Sequence, residues 1–295
     1  VSIPTCNREG NLKLILERLA PQLNKNCVVN ILVNNLSYDI NAMVKDVAHR
    51  MGKFDYKIYD NKENIGGSAN VVECFKICNT KWNFIIGDSK LPSLDAIDTL
   101  KNQIIDMPDV FFVNYYYPSN DHSTRDGFSV VRSNEEFVSN MGSFGNVILL
   151  GNSLYNNHVV KKYIGQAYRY LSSWAPQFAI VVLAMRGGGK EILLSEKSII
   201  EGFLKKPAKA LQTQSLIDCW IGFPELLDIF EDNKSRKILI KNIFGDSENS
   251  SMSLLPLIKS ILLLSYSTNR GYALHMLYRA TSIRNFYGVK KYEYI

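Results

Sequence analysis

Apolar positions in the first third of the chain alternate between two rhythms. Residues 1–4 read as a strand edge, and 11–23 as a helix that carries Leu12, Ile15, Leu16 and Leu19 on one face. A nearly unbroken apolar run at 28–33 predicts a buried strand that leaves through the polar turn Asn34-Asn35-Leu36-Ser37 into a helix at 40–51. A short strand at 56–59 is broken by Asn64-Ile65-Gly66-Gly67 ahead of a helix at 68–78. Residues 82–86 form the next buried strand, followed by a helix near 94–105. Strands that alternate with helices, each strand apolar almost throughout, predict a mostly parallel sheet with helices on both faces.

The rhythm changes beyond residue 110. Strands are predicted at 110–117 and 128–131, separated by the polar loop 119–127. A glycine-punctuated segment, 142–151, leads into a further helix. Residues 172–185 read as a helix with Pro176 in its first turn, where a missing N–H costs nothing. Gly187-Gly188-Gly189 stops it, and a strand follows at 191–194. After residue 205 the pattern is mostly helical, with apolar faces at 253–265 and 272–284. The expected organisation is an α/β domain over 1–204, split near 108/109, and a mainly helical region over 205–295.

Composition adds a charge asymmetry. The 295 residues carry a net charge of +6, but 1–204 hold 21 basic against 20 acidic residues, and 205–295 hold 13 against 8. The excess therefore sits in the tail, where basic and aromatic residues flank wide apolar faces. Such a face suits either peripheral contact with an anionic membrane or packing on the rest of the protein. The basic residues form no recognisable nucleic-acid module, so nucleic acid is not an expected partner. The five cysteines lack metal-ligand spacing and read as reduced thiols in a cytoplasmic protein. No signal peptide is evident, Val1 falls inside a strand so that a few residues are expected to precede it, and no apolar run reaches the ~20 residues of a membrane span.

In open α/β sheets, ligands bind beyond the carboxyl ends of the strands. Those ends are the polar clusters 5–8, 34–39, 61–67 and 88–90. Thr5, Arg8, Asn34 and Asn35 offer the donors and acceptors that a nucleobase edge needs. Gly66 and Gly67 would let a phosphate approach a helix N-terminus, or they simply turn a strand into a helix. Asn64 and Asn70 flank that turn, within reach of ribose or sugar hydroxyls.

Four motifs in order give these clusters a family. Val1-Ser2-Ile3-Pro4-Thr5-Cys6-Asn7-Arg8, Ile31-Leu32-Val33-Asn34-Asn35-Leu36-Ser37-Tyr38-Asp39, Asn64-Ile65-Gly66-Gly67-Ser68-Ala69-Asn70 and Ile85-Ile86-Gly87-Asp88-Ser89-Lys90-Leu91-Pro92 together resemble the family 2 glycosyltransferases of the GT-A fold, of the bacterial capsule and O-antigen type. The resemblance covers residues 1–95 and fades toward 142–177. It implies a Rossmann-like GT-A domain whose first half holds a nucleotide-sugar donor, UDP-linked, and whose second half holds a glycan or polyprenyl-linked acceptor. It also implies inverting transfer in surface polysaccharide synthesis. The donor residues it marks are Pro4, Thr5, Asn7, Arg8, Asn34, Asn35, Ser37, Asn64, Gly66, Gly67, Asn70 and Asp88.

The chain departs from that pattern at two places. The family's strand-end carboxylates ligate Mg²⁺ or Mn²⁺, but here Asp88 is followed by Ser89 and Lys90, so Asp88 is left as the lone metal candidate and a metal is in doubt. Lys90 is the candidate to stabilise the leaving diphosphate in the cation's stead. The segment 172–177, where the family places its catalytic base, has no carboxylate. Asp121 and Asp126 in the loop 119–127 are the candidate bases, with His122 beside them, and Trp174 and Gln177 are candidate acceptor contacts. The main alternative is a catalytically silent nucleotide-sugar-binding subunit of an assembly complex. A nucleotidyltransferase is weaker, because 5–9 is not the glycine-rich basic loop such enzymes carry. Gly187-Gly188-Gly189-Lys190 lacks the remaining phosphate-loop residues and reads as a helix end.

Overall fold

A computed structural model of the chain describes residues 1–34, 37–105, 107–117, 127–204 and 222–244. The first third builds as its pattern predicts. Strands β1 (Ser2–Thr5), β2 (Val28–Val33) and β3 (Asp55–Asp60) lie parallel in the order β1-β2-β3. Helix α1 (Glu9–Leu19) lays Leu12, Ile15, Leu16 and Leu19 on the sheet, and α2 (Ile40–Met51) does so with Ile40, Met43, Val44 and Val47. This i, i+3, i+4, i+7 spacing keeps one stripe facing inward. Asp39 caps α2 by accepting the Ala42 N–H at 3.1 Å, and Gly52 ends it at φ +95°. Helix α3 (Gly67–Ile77) starts after Gly66, whose φ of +85° is the left-handed region that favours glycine.

Strand β4 (Trp82–Phe84) ends its regular pairing two residues before the expected Ile86. It nonetheless runs alongside β1, through a parallel bridge between Ser2 and Ile85 and an Ile86 N–H bond to the Ser2 carbonyl at 3.0 Å. Buried polar bonds lock the seam: Ser2 Oγ donates to Asn83 Oδ1 at 2.8 Å, and Asn83 Nδ2 donates to the Cys74 carbonyl at 3.1 Å. Helix α4 (Ala96–Ile105) follows.

Three strands went unread in the sequence. β5 (Lys90–Pro92) pairs antiparallel with β10 (Ile200–Phe203), and β8 (Ser153–Asn156) stands between β4 and β6 (Val110–Tyr115), antiparallel to both. β8 replaces the helix expected directly after Gly151; short helical turns come only from residue 157 onward. With β7 (Ser129–Val131) and β9 (Glu191–Ser195) the second sheet reads β4-β8-β6-β9-β7, in which β6 and β9 are parallel and β7 is antiparallel to β9. This second sheet is therefore mixed, whereas β1, β2 and β3 are parallel as the apolar runs of the first third predict. Polar β8 can be buried because Asn114, Asn146, Asn152 and Ser153 satisfy one another: Asn114 Nδ2 donates to Ser153 Oγ at 3.0 Å, and Asn152 Nδ2 to Asn146 Oδ1 at 3.0 Å.

Helices α5 (Asn134–Asn140) and α6 (Phe144–Ile148) lead to β8, and α7 (Pro176–Arg186) is buried along ten of its eleven residues. α7 begins later than the expected 172, because proline disfavours helical geometry in the residue before it and Trp174 is left-handed at φ +58°. Helix α8 (Asn233–Phe244), the 3-10 segment Phe223–Ile229 and Phe230 between them insert Phe223, Leu226, Phe230, Leu239 and Ile243 into the core that holds Phe178. Cys6, Cys27, Cys74 and Cys78 are free thiols. The tail segments 253–265 and 272–284, on which the membrane expectation rests, lie outside the described residues.

Candidate active site

Parallel alignment of β1 with the β4 segment brings residues 5–8 over Asp88. The Asp88 carboxylate accepts from Thr5 Oγ1 at 3.0 Å and from the Cys6 N–H at 3.3 Å on Oδ2, and from Arg8 at 2.7 Å on Oδ1. Asn11 Nδ2 donates to the Asp88 carbonyl at 2.9 Å, so α1 also fixes this strand end. The carboxylate is mostly buried while Arg8 remains partly exposed, which leaves the guanidinium free to meet a ligand on its outer face. The sequence marks neither Cys6 nor Asn11 as a site candidate, because backbone and long-range polar bonds of this kind have no local signature.

The neighbouring strand ends are braced by asparagines. Asn7 is left-handed at φ +49°, and its Oδ1 accepts the Ser37 N–H at 2.7 Å. Asn34 is buried; it donates to Asn64 Oδ1 at 2.7 Å and accepts the Ile65 N–H at 2.8 Å. Asn64 Oδ1 also accepts the Gly66 N–H at 3.0 Å. Asn70, buried too, donates to the Leu32 carbonyl at 3.1 Å and accepts from Asn61 at 2.9 Å. Asn34 and Asn70 thus shape the 61–66 turn from within. Pro4 is buried in β1, and Gly66 and Gly67 are exposed with open space where a Cβ would stand. Asn35 lies outside the described residues.

Lys90 is placed differently from a surface lysine. A turn closed by the Lys90 N–H on the Gly87 carbonyl at 3.0 Å sends it into β5, directly opposite Phe203 of β10. Its Nζ sits 3.1 Å from the centre of the Phe203 ring and 5.4 Å from that of Tyr117, and the two rings meet edge to face at 5.1 Å. The side chain is 3% exposed, and Nζ has no hydrogen-bond partner among the described residues. Burial pushes the Lys90 pKa down from 10.5 to about 7. Tyr117 and Phe203 were invisible as site residues, because two three- and four-residue strands far apart in sequence carry no periodic signal.

Among the described residues, Asp88 is the one carboxylate at this strand end that a divalent cation could use. Mg²⁺ and Mn²⁺ favour several oxygen ligands. Here the single carboxylate already accepts three bonds, and a buried amine stands two residues on. Among the described residues no group of three His, Cys, Asp or Glu is placed to hold a metal ion.

Nearby, Leu150 packs against Gly87, and Gln177 at the start of α7 donates to the Ile148 carbonyl at 2.6 Å. Gln177 is buried with its Oε1 unpartnered among the described residues. Trp174 is 45% exposed in its left-handed conformation, a backbone state that a bulky residue rarely adopts. Asp121, His122 and Asp126 lie outside the described residues.

No family model matches the sequence, and no curated protein is similar to it. Solved structures are similar in fold. S. aureus TarS 1–349 aligns with a TM-score of 0.60 at 12% identity, over 88% of this chain and 77% of that one. The mannosyltransferase PcManGT from Pyrobaculum calidifontis, in complex with GDP-Man and Mn²⁺, aligns at 0.58 and 10% identity over 98% and 87%. Glucosyl-3-phosphoglycerate synthase from Mycobacterium tuberculosis, in complex with Mg²⁺ and UDP, aligns at 0.52 and 9% identity over 77% of each chain. At these identities the likeness establishes architecture: the chain has the mixed α/β GT-A fold found in glycosyltransferases.

Proposed function

We propose that the chain is a glycosyltransferase that moves a sugar from a nucleotide-sugar donor, UDP-linked, to a glycan or lipid-linked saccharide in surface polysaccharide synthesis. The observation that carries this reading is the Asp88 carboxylate held by Thr5, the Cys6 N–H and Arg8 at the carboxyl edge of a GT-A sheet. Similar structures support it: TarS 1–349 has been solved with UDP and with UDP-GlcNAc, and PcManGT with GDP-Man. Thr5, Asn7, Arg8, Ser37, Asn64, Gly66 and Gly67 line the donor side, with Asn34 and Asn70 shaping it. A thermal-shift panel of UDP- and GDP-sugars, with and without Mn²⁺, tests the reading. A UDP-sugar is expected to raise the melting temperature equally in both conditions. Silence across the panel would end the proposal.

Transfer proceeds by single displacement with inversion, and Asp121 or Asp126 takes the proton of the attacking hydroxyl. Trp174 supplies an apolar platform beside α7 for the acceptor ring. Trp174→Ala is expected to raise the acceptor KM by about fivefold, the value of one lost stacking contact of about 1 kcal/mol. Its donor KM is expected to stay unchanged; a shift in donor KM alone would remove Trp174 from the acceptor side. The silent binding subunit stays as a second reading, favoured by the absence of a carboxylate in 172–177.

A further inference from the structure

An aromatic pair stands at the carboxyl edge of the molecule, outside the donor contacts around Asp88. Tyr117 lies just past β6, and Phe203 is the last residue of β10. The two rings meet edge to face with centroids 5.1 Å apart, and Lys90 Nζ lies 3.1 Å from the centre of the Phe203 ring. An N–H donor over one ring face and a second ring set perpendicular to it are both favourable contacts, and together they fix the orientation of Phe203. The residue is nevertheless 49% exposed. Its strand is firmly held: Leu204 donates its N–H to the Ser89 carbonyl at 2.9 Å, Glu201 pairs with Arg18 of α1, and Ile200 is buried. A lone exposed apolar side chain needs no explanation, but a ring clamped in this way and still half open to solvent is a preorganised surface.

The position of that surface along the sheet edge decides what it meets. The bonds between β1 and the β4 segment join the two sheets, so the strands run β3, β2, β1, β4, β8, β6 across the molecule. Thr5, Arg8, Ser37 and Asn64 belong to the ends of β1, β2 and β3, and Asp88 follows β4. Tyr117 lies on the other side of Asp88, at the end of β6. Phe203 spans the gap, because its strand partner is Lys90 and its ring reaches Tyr117. Two residues along the chain and one step across a strand pair put the Asp88 and Phe203 backbones at most about 9 Å apart. In a sugar nucleotide the pyranose is bonded to the distal phosphate. A nucleoside on the β1–β3 side of Asp88 therefore sends its sugar toward Phe203.

We propose that Phe203, braced by Tyr117 and Lys90, is a stacking platform for the pyranose ring of the donor. The proposal rests on the nucleotide-sugar reading and deepens it, by naming the residue that meets the sugar rather than the nucleotide. The C–H face of a pyranose is apolar and its hydroxyls project around the rim, so a fixed aromatic face complements it while the rim stays wet. Stacking reads the ring and not one hydroxyl, so the contact acts on hexoses as a class.

Calorimetric titration with UDP, and with UDP-N-acetylglucosamine, UDP-glucose and UDP-galactose, tests the platform; GDP and GDP-mannose replace them if only the guanine nucleotide binds. Phe203→Leu keeps an apolar side chain over Lys90 but has no flat face. It should hold UDP affinity within about twofold of wild type and weaken each sugar nucleotide that the wild type binds by about fivefold, the worth of one aromatic contact. Phe203→Tyr keeps the ring and should bind both as the wild type does. Tyr117→Leu removes the brace and should weaken the sugar nucleotides by a smaller factor, again without moving UDP. UDP binding reports in every variant that the fold is intact. Three results would overturn the inference and leave the nucleotide site standing: an unchanged ratio of UDP to UDP-sugar affinity in Phe203→Leu, an equal loss toward both, or a wild type that binds UDP but none of the sugar nucleotides. Failure of the wild type to bind either UDP or GDP would instead overturn the reading beneath it.

Discussion

Replacing Asp88 by Asn should leave a folded protein that has lost about a hundredfold or more of its donor-dependent kcat/KM, equivalent to about 2.7 kcal/mol of transition-state binding. The amide matches the carboxylate in size, but its nitrogen cannot accept. At least one of Thr5, the Cys6 N–H and Arg8 then loses its acceptor. Arg8 also loses its counter-charge and is free to swing to solvent. Because Arg8 is partly exposed, the stability cost is modest, about 1–2 kcal/mol. Comparing the melting temperature with kcat/KM separates the two effects: a small fall in the first with a large fall in the second is expected. A variant with near wild-type kcat/KM would show that Asp88 only braces the strand end.

The second large effect is steric and lies beside Trp174, the proposed acceptor contact. Gly222→Ala should destabilise the fold by about 3 kcal/mol, lowering the melting temperature by roughly 6–12 °C. A Cβ at this position would collide with the Ser172 carbonyl oxygen and stand 2.6 Å from the Ser173 Cα. Those are backbone atoms, so no side chain can rotate away, and the segment that leads into Trp174 must shift. Acceptor KM should therefore rise along with the loss of stability, while nucleotide-sugar binding at the Asp88 edge is retained. Thermal unfolding and a donor titration of the one variant check both statements. Gly66→Ala makes the opposite case: its surroundings are open, and only the positive φ opposes it.

The first hundred residues were legible because their elements carry their own signals. Continuous apolar runs marked β2 and β4, the helical stripes marked α1 and α2, and the polar clusters at the strand ends marked the candidate site. What escaped was whatever needs a distant partner. β8 is a polar four-residue strand, stable only inside the asparagine network of 114, 146 and 152. β5 and β10 are separated by more than a hundred residues and make sense only as a pair. The same limit applied to the site. Asp88 and Arg8 were readable as chemistry, whereas the Cys6 N–H, Asn11, Tyr117 and Phe203 became site residues only once the chain was folded. Asn34 and Asn64 stood out as ligand contacts, yet their short mutual bond shows that polar residues at a strand end can also be spent on shaping the loop.

Nucleoside diphosphate release is the measurement that bears most directly on whether this GT-A sheet edge is a working donor site. Purified protein is incubated with a UDP-sugar, without metal and with EDTA, and free UDP is followed over time. Steady release that stops in Asp88→Asn, and that quickens when a saccharide acceptor is added, is the result expected of a glycosyltransferase. Tight binding of the UDP-sugar with no release under any condition, acceptor and Mn²⁺ included, would contradict it and identify the chain as a subunit that holds a nucleotide sugar without transferring it.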